Sequence, residues 1–522
     1  MVCLAFLVLM FGLVYHYARQ KSDFHVDESY SYHFVCRTDY PSVNKDRPNQ
    51  PFLGVWHDAS YYQDYYIIDE TEAFDIRGVV SSIRKDQHPP LWYILLELTI
   101  SLFSVNRFTK WTGLGLNIAL YVLHLFVLFV FSKRILKSEK WALLTCFLYG
   151  TSLIAMSTVL FIRMYMLFTA LCTLLLYEHV GLFEMVERGQ SPTKALFAIA
   201  VTGILGMLTH YYFLMFFVVV AIVFASYLLL SRKYDRFVAY SVAVFASLGL
   251  LLLLWPETLN DIFNGFRGKE AIHNFTHSGY LSRIRFFSTW LFTRLLGEGV
   301  VNYVLTGLLF AVAVAAYFGN RNGKPKPEEA NGHKLMIMFG VVVLINLILV
   351  SKTAPKALVK ARYIFNLFPI WSLLLVYLIK ALLGKQSSNY LKIIVVCLIV
   401  ANAIAIHFRG KIEYLGKQPP LCYPTQYPIV LVTKNNARVV TVKNSFYFKD
   451  AKEIYVTTFD GIGTIPQAVK EVQSDYYVVA IQNDDRQDAI LSQLESTMDV
   501  KEKQVLGKTT YTTVYLMPVL GE

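Results

Sequence analysis

The chain has 522 residues, of which 55% are hydrophobic and only 16% are charged, and its formal net charge is +12. Soluble domains carry roughly 45–50% apolar and about 25% charged residues, so this composition excludes a water-soluble enzyme and a disordered chain. The apolar residues form unbroken runs, which excludes a coiled coil and a transmembrane β-barrel. The sequence therefore predicts an α-helical polytopic membrane protein. Its positive charge lies mainly in short loops between apolar runs, as the positive-inside rule expects of a membrane protein. This distribution does not indicate a nucleic-acid partner.

Apolar runs near the roughly 20 residues that cross a bilayer predict about eleven membrane spans within residues 1–409. These predicted spans are 2–18, 112–131, 141–157, 166–180, 195–210, 211–230, 237–255, 300–318, 335–351, 361–382 and 391–408. A tight turn near His210 must divide the double-length run 195–230, because the run is too long for one crossing. The run 89–104 contains Glu97 and is predicted to be a helix at the outer membrane interface that does not cross.

The basic loops set the predicted orientation. The loop 132–140 is the densest in Lys and Arg and should be cytoplasmic. A cytoplasmic N-terminus and a non-crossing 89–104 place this loop inside, together with Arg232, Lys233 and the loop 380–392. A crossing at 89–104 would invert all of them. The sequence thus predicts a multi-pass plasma-membrane protein with a cytoplasmic N-terminus and an extracytoplasmic C-terminal domain.

Two polar parts of the chain are predicted to lie outside the membrane. Residues 19–88 form an outer loop that contains Trp56 and several tyrosines, and residues 410–522 form a soluble domain. In that domain, β-like runs occur at 429–432, 437–442, 453–458, 476–481 and 511–517, and helix-like stretches occur at 465–473 and 485–498. This alternation predicts a small α/β domain.

The first candidate site lies at the outer end of the first span, where Asp27 and Glu28 are adjacent. Ionised groups at a bilayer boundary are costly and rare, which makes these carboxylates candidates for a general base or a metal ligand. A solvated helix end, with Glu28 as a capping residue, explains the same pattern equally well.

The second group of candidates is cationic. The paired prolines after His88 suit the first turn of a helix, whose N-terminus favours an anion. Arg163 and Arg362 each lie at the outer end of a predicted span. Snorkelling alone would explain either arginine, but the convergence of His88, both arginines and the acids on one membrane face favours an anionic phosphate. His210 joins them by topology, although a lone histidine is more often structural.

Several short motifs occur in one order along residues 1–409. They are Asp27-Glu28 after the first span, His88-Pro89-Pro90-Leu91, an Arg-led second span over 107–136, Phe161-Ile162-Arg163-Met164-Tyr165, and Ala361-Arg362-Tyr363 followed by Pro369. In this ordered set the chain resembles the GT-C superfamily of membrane glycosyltransferases. It is most similar to the protein O-mannosyltransferase-like group that includes lipid A aminoarabinose transferases.

The resemblance implies a transmembrane catalytic module over residues 1–409 that inverts the anomeric centre. The sugar would come from a polyprenyl-phosphate carrier and pass to a hydroxyl acceptor on the outer side of the bilayer. The implied roles are a catalytic base at Asp27 with Glu28 beside it, and surroundings of the donor phosphate at His88, Arg163 and Arg362. Tyr165, His210 and Tyr363 are candidates for further substrate contacts.

Two alternatives stay open from the sequence. A divalent metal ion could be part of the site, with Asp27 or Glu28 as its ligand, although Tyr165 stands where some relatives have Asp. A transporter or flippase of a lipid-linked or anionic solute is the alternative function. It would predict inverted repeats and ionisable groups at mid-membrane, whereas here the ionisable groups cluster at one surface.

Overall fold

The computed structural model describes residues 2–36, 52–84, 86–276, 279–296, 327–355, 360–383, 389–416, 421–434, 446–448, 450–472, 474–498, 500, 502–509 and 511–518. The helices there are α1 Val2–Gln20, α2 Val26–Cys36, α3 Ala59–Gln63, α4 Ile76–Ile83, α5 Leu91–Phe103, α6 Lys110–Leu136, α7 Glu139–Gly150, α8 Leu153–Leu160, α9 Tyr165–Glu187, α10 Thr193–Met207, α11 Tyr211–Leu230, α12 Tyr234–Leu254, α13 Glu257–Phe263, α14 Phe266–Thr276, α15 Tyr280–Leu296, α16 Pro327–Thr353, α17 Leu367–Leu383, α18 Asn389–Arg409, α19 Ile465–Val472 and α20 Gln487–Thr497.

The chain is a multi-pass α-helical membrane protein. Within the described residues, seven helices are long and apolar enough to cross a bilayer, and a bent pair, α7 with α8, would make an eighth. The apolar helices α10 and α17 are shorter. Each predicted span therefore has a helical counterpart except 300–318, which lies outside the described residues.

The predicted span at 141–157 is not one straight helix. The chain there forms α7 and α8, whose axes differ by 61°. The break occurs because Ser152 starts a new helix: its Oγ accepts a hydrogen bond from the N–H of Ala155 at 3.1 Å and so acts as an N-cap. Helix α8 therefore runs in a new direction, and it ends just before the connector that carries Arg163.

The run 195–230 divides as predicted, between α10 and α11. The two helices pack closely because Gly206 has no side chain: a Cβ at this position would lie 2.1 Å from a ring carbon of Phe213. The adjoining helices also pack in pairs, α9 against α10 and α10 against α12. This tight helical hairpin fixes the turn that holds His210.

The chain forms two compact units. One consists of Met1–Arg19, Ile83–Trp92 and Leu114–Tyr414, and the other of Gln20–Ser82, Tyr93–Gly113 and Leu415–Glu522. We call them the helical unit and the sheet unit. The domain predicted at 410–522 thus contributes its strands and helices to a unit that also includes most of the outer loop. The helix predicted at 89–104 is present as α5, and its position at the membrane interface stays a prediction.

In its described residues, the sheet unit contains a six-stranded sheet in the order β1-β3-β2-β4-β6-β5. Its strands are β1 Trp56–His57, β2 Ile429–Thr433, β3 Ile454–Thr458, β4 Tyr476–Gln482, β5 Gln504–Lys508 and β6 Thr512–Pro518. The three central strands, β3, β2 and β4, are parallel, and the remaining pairs are antiparallel. Helices α19 and α20 cover a core that includes Val430, Val479 and Leu494. The predicted α/β architecture is confirmed, and the β-like run 437–442 lies outside the described residues.

The outer loop is built into this sheet. Trp56 of β1 pairs with Tyr455 of β3 in antiparallel register, and its indole Nε1 donates to the carbonyl of Ala468 at 3.0 Å. Near the start of the unit, the N–H of Ser22 donates to the carbonyl of Gly416 at 3.2 Å. Gly416 has a φ of +56° and a Cβ there would lie 2.5 Å from the carbonyl oxygen of Asp23, so only glycine fits.

Candidate functional site

The connector between α8 and α9 presents Arg163. Asn117 of α6 holds this connector, because its buried Nδ2 donates to the carbonyls of Val159 at 3.1 Å and Phe161 at 2.7 Å. A further hydrogen bond runs from the N–H of Arg163 to the carbonyl of Phe161 at 2.7 Å. The Arg163 side chain is only 5% exposed. A buried guanidinium is therefore fixed on a connector that a neighbouring helix holds in place.

His88 lies beside Arg163 in the helical unit. Its Nε2 is 3.2 Å from Nη2 of Arg163, and its Nδ1 is 2.6 Å from Oδ2 of Asp86. Burial would raise the pKa of Asp86, but its hydrogen bond with His88 and the charge of Arg163 hold it below its usual value. Asp86, His88 and Arg163 form a continuous polar chain at the start of α5.

The loop of His88 is tied to the α10–α11 turn. The paired prolines, which have no N–H, directly precede α5. The N–H of Leu91, the first residue of α5, donates to the carbonyl of Leu208 at 3.0 Å. In that turn His210 is the N-cap of α11, with its Nδ1 accepting from the N–H of Tyr212 at 3.0 Å. Burial and the nearby charges of Arg163 and Arg362 lower the pKa of His210, which favours its neutral form.

Arg362 is held by aromatic rings. It lies in a short 3₁₀ helix, Ala361–Ile364, and its guanidinium carbon is 5.6 Å from the ring centroid of Phe161 and 6.0 Å from that of Tyr165. The next residue, Tyr363, packs its ring 5.3 Å from that of Tyr212. Cation–π contacts of this kind orient a guanidinium.

Six residues that the sequence predicts for the site thus belong to one cluster within the helical unit: His88, Arg163, Tyr165, His210, Arg362 and Tyr363. Their rings and cations come from four separate parts of the chain. The cluster offers two guanidinium groups and a histidine near one another, which is the chemistry that recognises a phosphate.

A further acid, Glu413, lies within electrostatic reach of Arg362. Burial raises the pKa of Glu413, and four cations act in the opposite direction: Arg294, Lys360, Lys411 and Arg362. The positive charges that act on Glu413 and His210 favour an anion in this part of the site.

Asp27 and Glu28 lie in the sheet unit, at the N-terminus of α2. Glu28 is fully buried; its Oε2 accepts from Nζ of Lys21 at 3.1 Å and from the N–H of His25 at 2.6 Å. This second bond is half of a capping box. His25 in turn accepts from the N–H of Asp27 at its Nδ1, at 3.1 Å. Glu28 therefore has the structural role that its capping interpretation anticipated.

Asp27 differs from its neighbour because its side chain is 29% exposed. Its Oδ2 is 3.6 Å from Nδ1 of His25, beyond hydrogen-bonding distance. Glu28 does not suit a metal ion, since the Lys21 ammonium already contacts its Oε2. Across the residues that the structure describes, no group of three His, Cys, Asp or Glu side chains is arranged to hold a metal, and metal dependence stays a prediction.

The structure adds three residues that the sequence does not single out. Asp86 stands two positions before His88, and Asn117 is a polar residue inside an apolar run; both positions are visible in the sequence but carry no distinctive pattern. Glu413 gives no local signal, because the cations near it come from distant parts of the chain.

Comparisons with known proteins identify similarity in structure only. No protein-family model and no curated protein sequence matches the chain. A crystal structure of ArnT from Cupriavidus metallidurans bound to undecaprenyl phosphate matches 98% of this chain and 97% of its own, with a TM-score of 0.50 and 11% identity. An archaeal oligosaccharyltransferase, AglB from Archaeoglobus fulgidus, in complex with an inhibitory peptide and a dolichol-phosphate, covers 92% of this chain and 69% of its own, with a TM-score of 0.45 and 12% identity.

The buried pair of Lys21 and Glu28 generates a stability prediction. Lys21→Met leaves a buried carboxylate without its ammonium partner, and such changes cost about 3–5 kcal/mol. Adding Glu28→Gln removes the stranded charge and keeps an acceptor for the N–H of His25, so the double variant should regain part of the loss. Thermal unfolding in detergent measures both variants against Lys470→Met, a lysine on α19. Equal melting temperatures for the single and double variants would contradict the buried ion pair.

Proposed function

Because this chain has the GT-C fold, the fold of ArnT, we propose that it is an inverting glycosyltransferase that takes a sugar from a polyprenyl-phosphate carrier. The observation that carries this proposal is the cationic cluster of His88, Arg163 and Arg362 in the helical unit. A lipid-linked sugar phosphate supplies the anion that such a cluster selects. ArnT itself has been crystallised with undecaprenyl phosphate, which is consistent with a carrier of this class.

In the proposed reaction, the carrier phosphate is the leaving group. The bond between the anomeric carbon and the phosphate oxygen breaks while the acceptor oxygen attacks from the opposite side, so the configuration inverts. Negative charge develops on the departing phosphate, and fixed donors on Arg163 and Arg362 stabilise it. Electrostatic stabilisation by preorganised groups in a partly dry site is usually the largest catalytic term.

The acceptor hydroxyl must lose a proton during the attack, and Asp27 is the proposed base. It is the more exposed of the two adjacent carboxylates, whereas Glu28 is engaged by Lys21 and the N–H of His25. General base catalysis typically contributes roughly 10²–10⁴-fold. Glu28 then has a supporting role, because the two contacts of Glu28 fix the helix end from which Asp27 projects. The sugar and the acceptor would be identified by mass spectrometry of envelope glycolipids and polymers from a deletion strain.

We further propose that the site faces outward, with a cytoplasmic N-terminus and residues 410–522 outside. In a variant without native cysteines, Lys140→Cys should resist an impermeant thiol reagent in intact cells, whereas Gln493→Cys should react. Both side chains are exposed in the structure, so access depends on the membrane side alone. Permeabilised cells, where both sites should react, are the control. Labelling at 140 with protection at 493 in intact cells would reverse the orientation.

The role of Arg362 is tested by donor-lipid binding. Arg362→Ala should weaken the binding of undecaprenyl phosphate in nanodiscs by about 10-fold or more, since charged hydrogen bonds contribute about 1.5–3 kcal/mol. Arg362→Lys should lose less, because it keeps a charge but not the planar fork.

Arg188→Ala is the matched control for Arg362→Ala. Arg188 caps the far end of α9, about 34 Å from Tyr165 at 1.5 Å per residue, so this variant should bind normally. Unchanged affinity in Arg362→Ala, or an equal loss in the control, would remove Arg362 from the phosphate site.

If Asp27 is the base, substitutions of Asp27 and Glu28 should affect glycosyl transfer differently. Asp27→Asn keeps the size of the side chain but cannot take the proton, so transfer should fall by roughly 10²-fold or more while undecaprenyl phosphate still binds. Complementation of the deletion strain, read by mass spectrometry of its glycans, measures transfer, and Asp488→Asn on α20 is the control. Normal transfer by Asp27→Asn, beside an inactive but folded Glu28→Gln, would exchange the two roles.

A further inference from the structure

The polar chain of Asp86, His88 and Arg163 defines the protonation of His88. Nη2 of Arg163 is 3.2 Å from Nε2 of His88, and a guanidinium has only donors. Nε2 must therefore supply a lone pair, and the single ring proton must lie on Nδ1. Nδ1 is 2.6 Å from Oδ2 of Asp86, which accepts that proton in a hydrogen bond. In this arrangement His88 is a neutral imidazole with an assigned tautomer.

His88 and a bound phosphate would compete for the guanidinium of Arg163. Arg163 is 5% exposed, so a phosphate that reaches its guanidinium must share or replace the contact with Nε2 of His88. Once Arg163 turns to the phosphate, Nε2 faces an anion with a lone pair, which is repulsive. Addition of a proton at Nε2 would turn that repulsion into a charge-assisted hydrogen bond.

We infer that Asp86 is a positioning residue that lets His88 take up one proton when a phosphate binds at Arg163. The inference rests on the proposed function, since it specifies how that site handles the carrier phosphate. The proton comes from water and is added to the Nε2 lone pair, and no covalent bond to carbon or phosphorus changes. The hydrogen bond between Arg163 and His88 is exchanged for one from each of them to the phosphate.

The surrounding charges favour this exchange. Within the described residues, the charged and titratable groups that act on His88 include Asp86 in the same loop, Arg163 on the α8–α9 connector, His210 on the α10–α11 turn and Asp261 on α13. With Arg163 engaged by the phosphate and His210 neutral, the two aspartates and the phosphate all favour an imidazolium. Asp86 contributes most directly, because it holds the Nδ1 proton while Nε2 gains the second one.

The arrangement also suits the proposed reaction. A sugar phosphodiester carries one negative charge, whereas the released polyprenyl phosphate monoester carries about −1.5 to −2 at neutral pH. A histidine that gains a proton at the phosphate would compensate for the charge that develops when the sugar leaves. The proton uptake would thus be strongest with the product lipid, which makes undecaprenyl phosphate the suitable probe.

The test measures binding of undecaprenyl phosphate in nanodiscs from pH 8 to pH 6 for wild type, His88→Gln and Asp86→Asn. His88→Gln reports the titration of the lipid phosphate itself, which weakens binding as the pH falls. Relative to this variant, wild type should gain about tenfold in affinity between pH 8 and pH 6, because histidine titrates in this range. Asp86→Asn should bind within about threefold of wild type at pH 8 and lose most of the gain, since Asn orients the ring without a charge.

A structural role for Asp86 would instead weaken binding equally at every pH, which would overturn the inference. A second readout is ¹⁵N NMR of the His88 ring, assigned by its absence in His88→Gln. Without lipid, Nδ1 alone should carry a proton, and with saturating undecaprenyl phosphate at pH 6 both nitrogens should. A lipid-free enzyme protonated at Nε2 alone would also overturn the inference.

The outcomes separate this inference from the function on which it rests. A folded wild type that binds no polyprenyl phosphate at any pH overturns the proposed function, and the coupled proton uptake falls with it. Strong binding with the same pH dependence in wild type and His88→Gln overturns the coupled uptake alone.

Discussion

The buried charge of Arg163 is the constraint on which the helical unit's site depends. A guanidinium that is 5% exposed needs nearby groups to offset the loss of water, and the structure supplies His88 and the charge of Asp86. Its position depends in turn on Asn117, whose amide holds two carbonyls of the connector. The break between α7 and α8, the packing of α6 and the start of α5 all contribute to placing this one cation.

A buried carboxylate in the sheet unit is likewise stabilised by nearby groups. Glu28 is buried, and it is satisfied by the Lys21 ammonium and a backbone N–H, so its neighbour Asp27 can project from a fixed helix end. A pair of adjacent acids is therefore not a pair of equivalent acids. The Glu28 carboxylate is engaged in a buried ion pair, whereas the Asp27 side chain is 29% exposed.

Much of this could be predicted from the sequence, because the signals were local. Unbroken apolar runs gave the helices, and short motifs gave His88, Arg163 and Arg362. The break at Ser152 was missed because Ser and Thr are common inside membrane helices, and only the cap geometry reveals it. The strand Gln504–Lys508 was missed because it is an exposed edge with little alternation. Glu413 and the contact of His88 with Arg163 depend on residues distant in sequence, which no local pattern reports.

The short strand Trp56–His57 has a consequence for biosynthesis. It pairs with a strand that lies almost 400 residues later, Tyr455 opposite Trp56, so the sheet cannot be completed until the C-terminal segment has been made. During synthesis the outer loop therefore has no sheet partner while Leu114–Tyr414 is inserted into the membrane. Contacts this far apart in sequence form slowly and leave apolar surface uncovered in the meantime. The ring of Trp56, which packs 5.3 Å from that of Tyr455, therefore lacks this partner until the C-terminal segment is made.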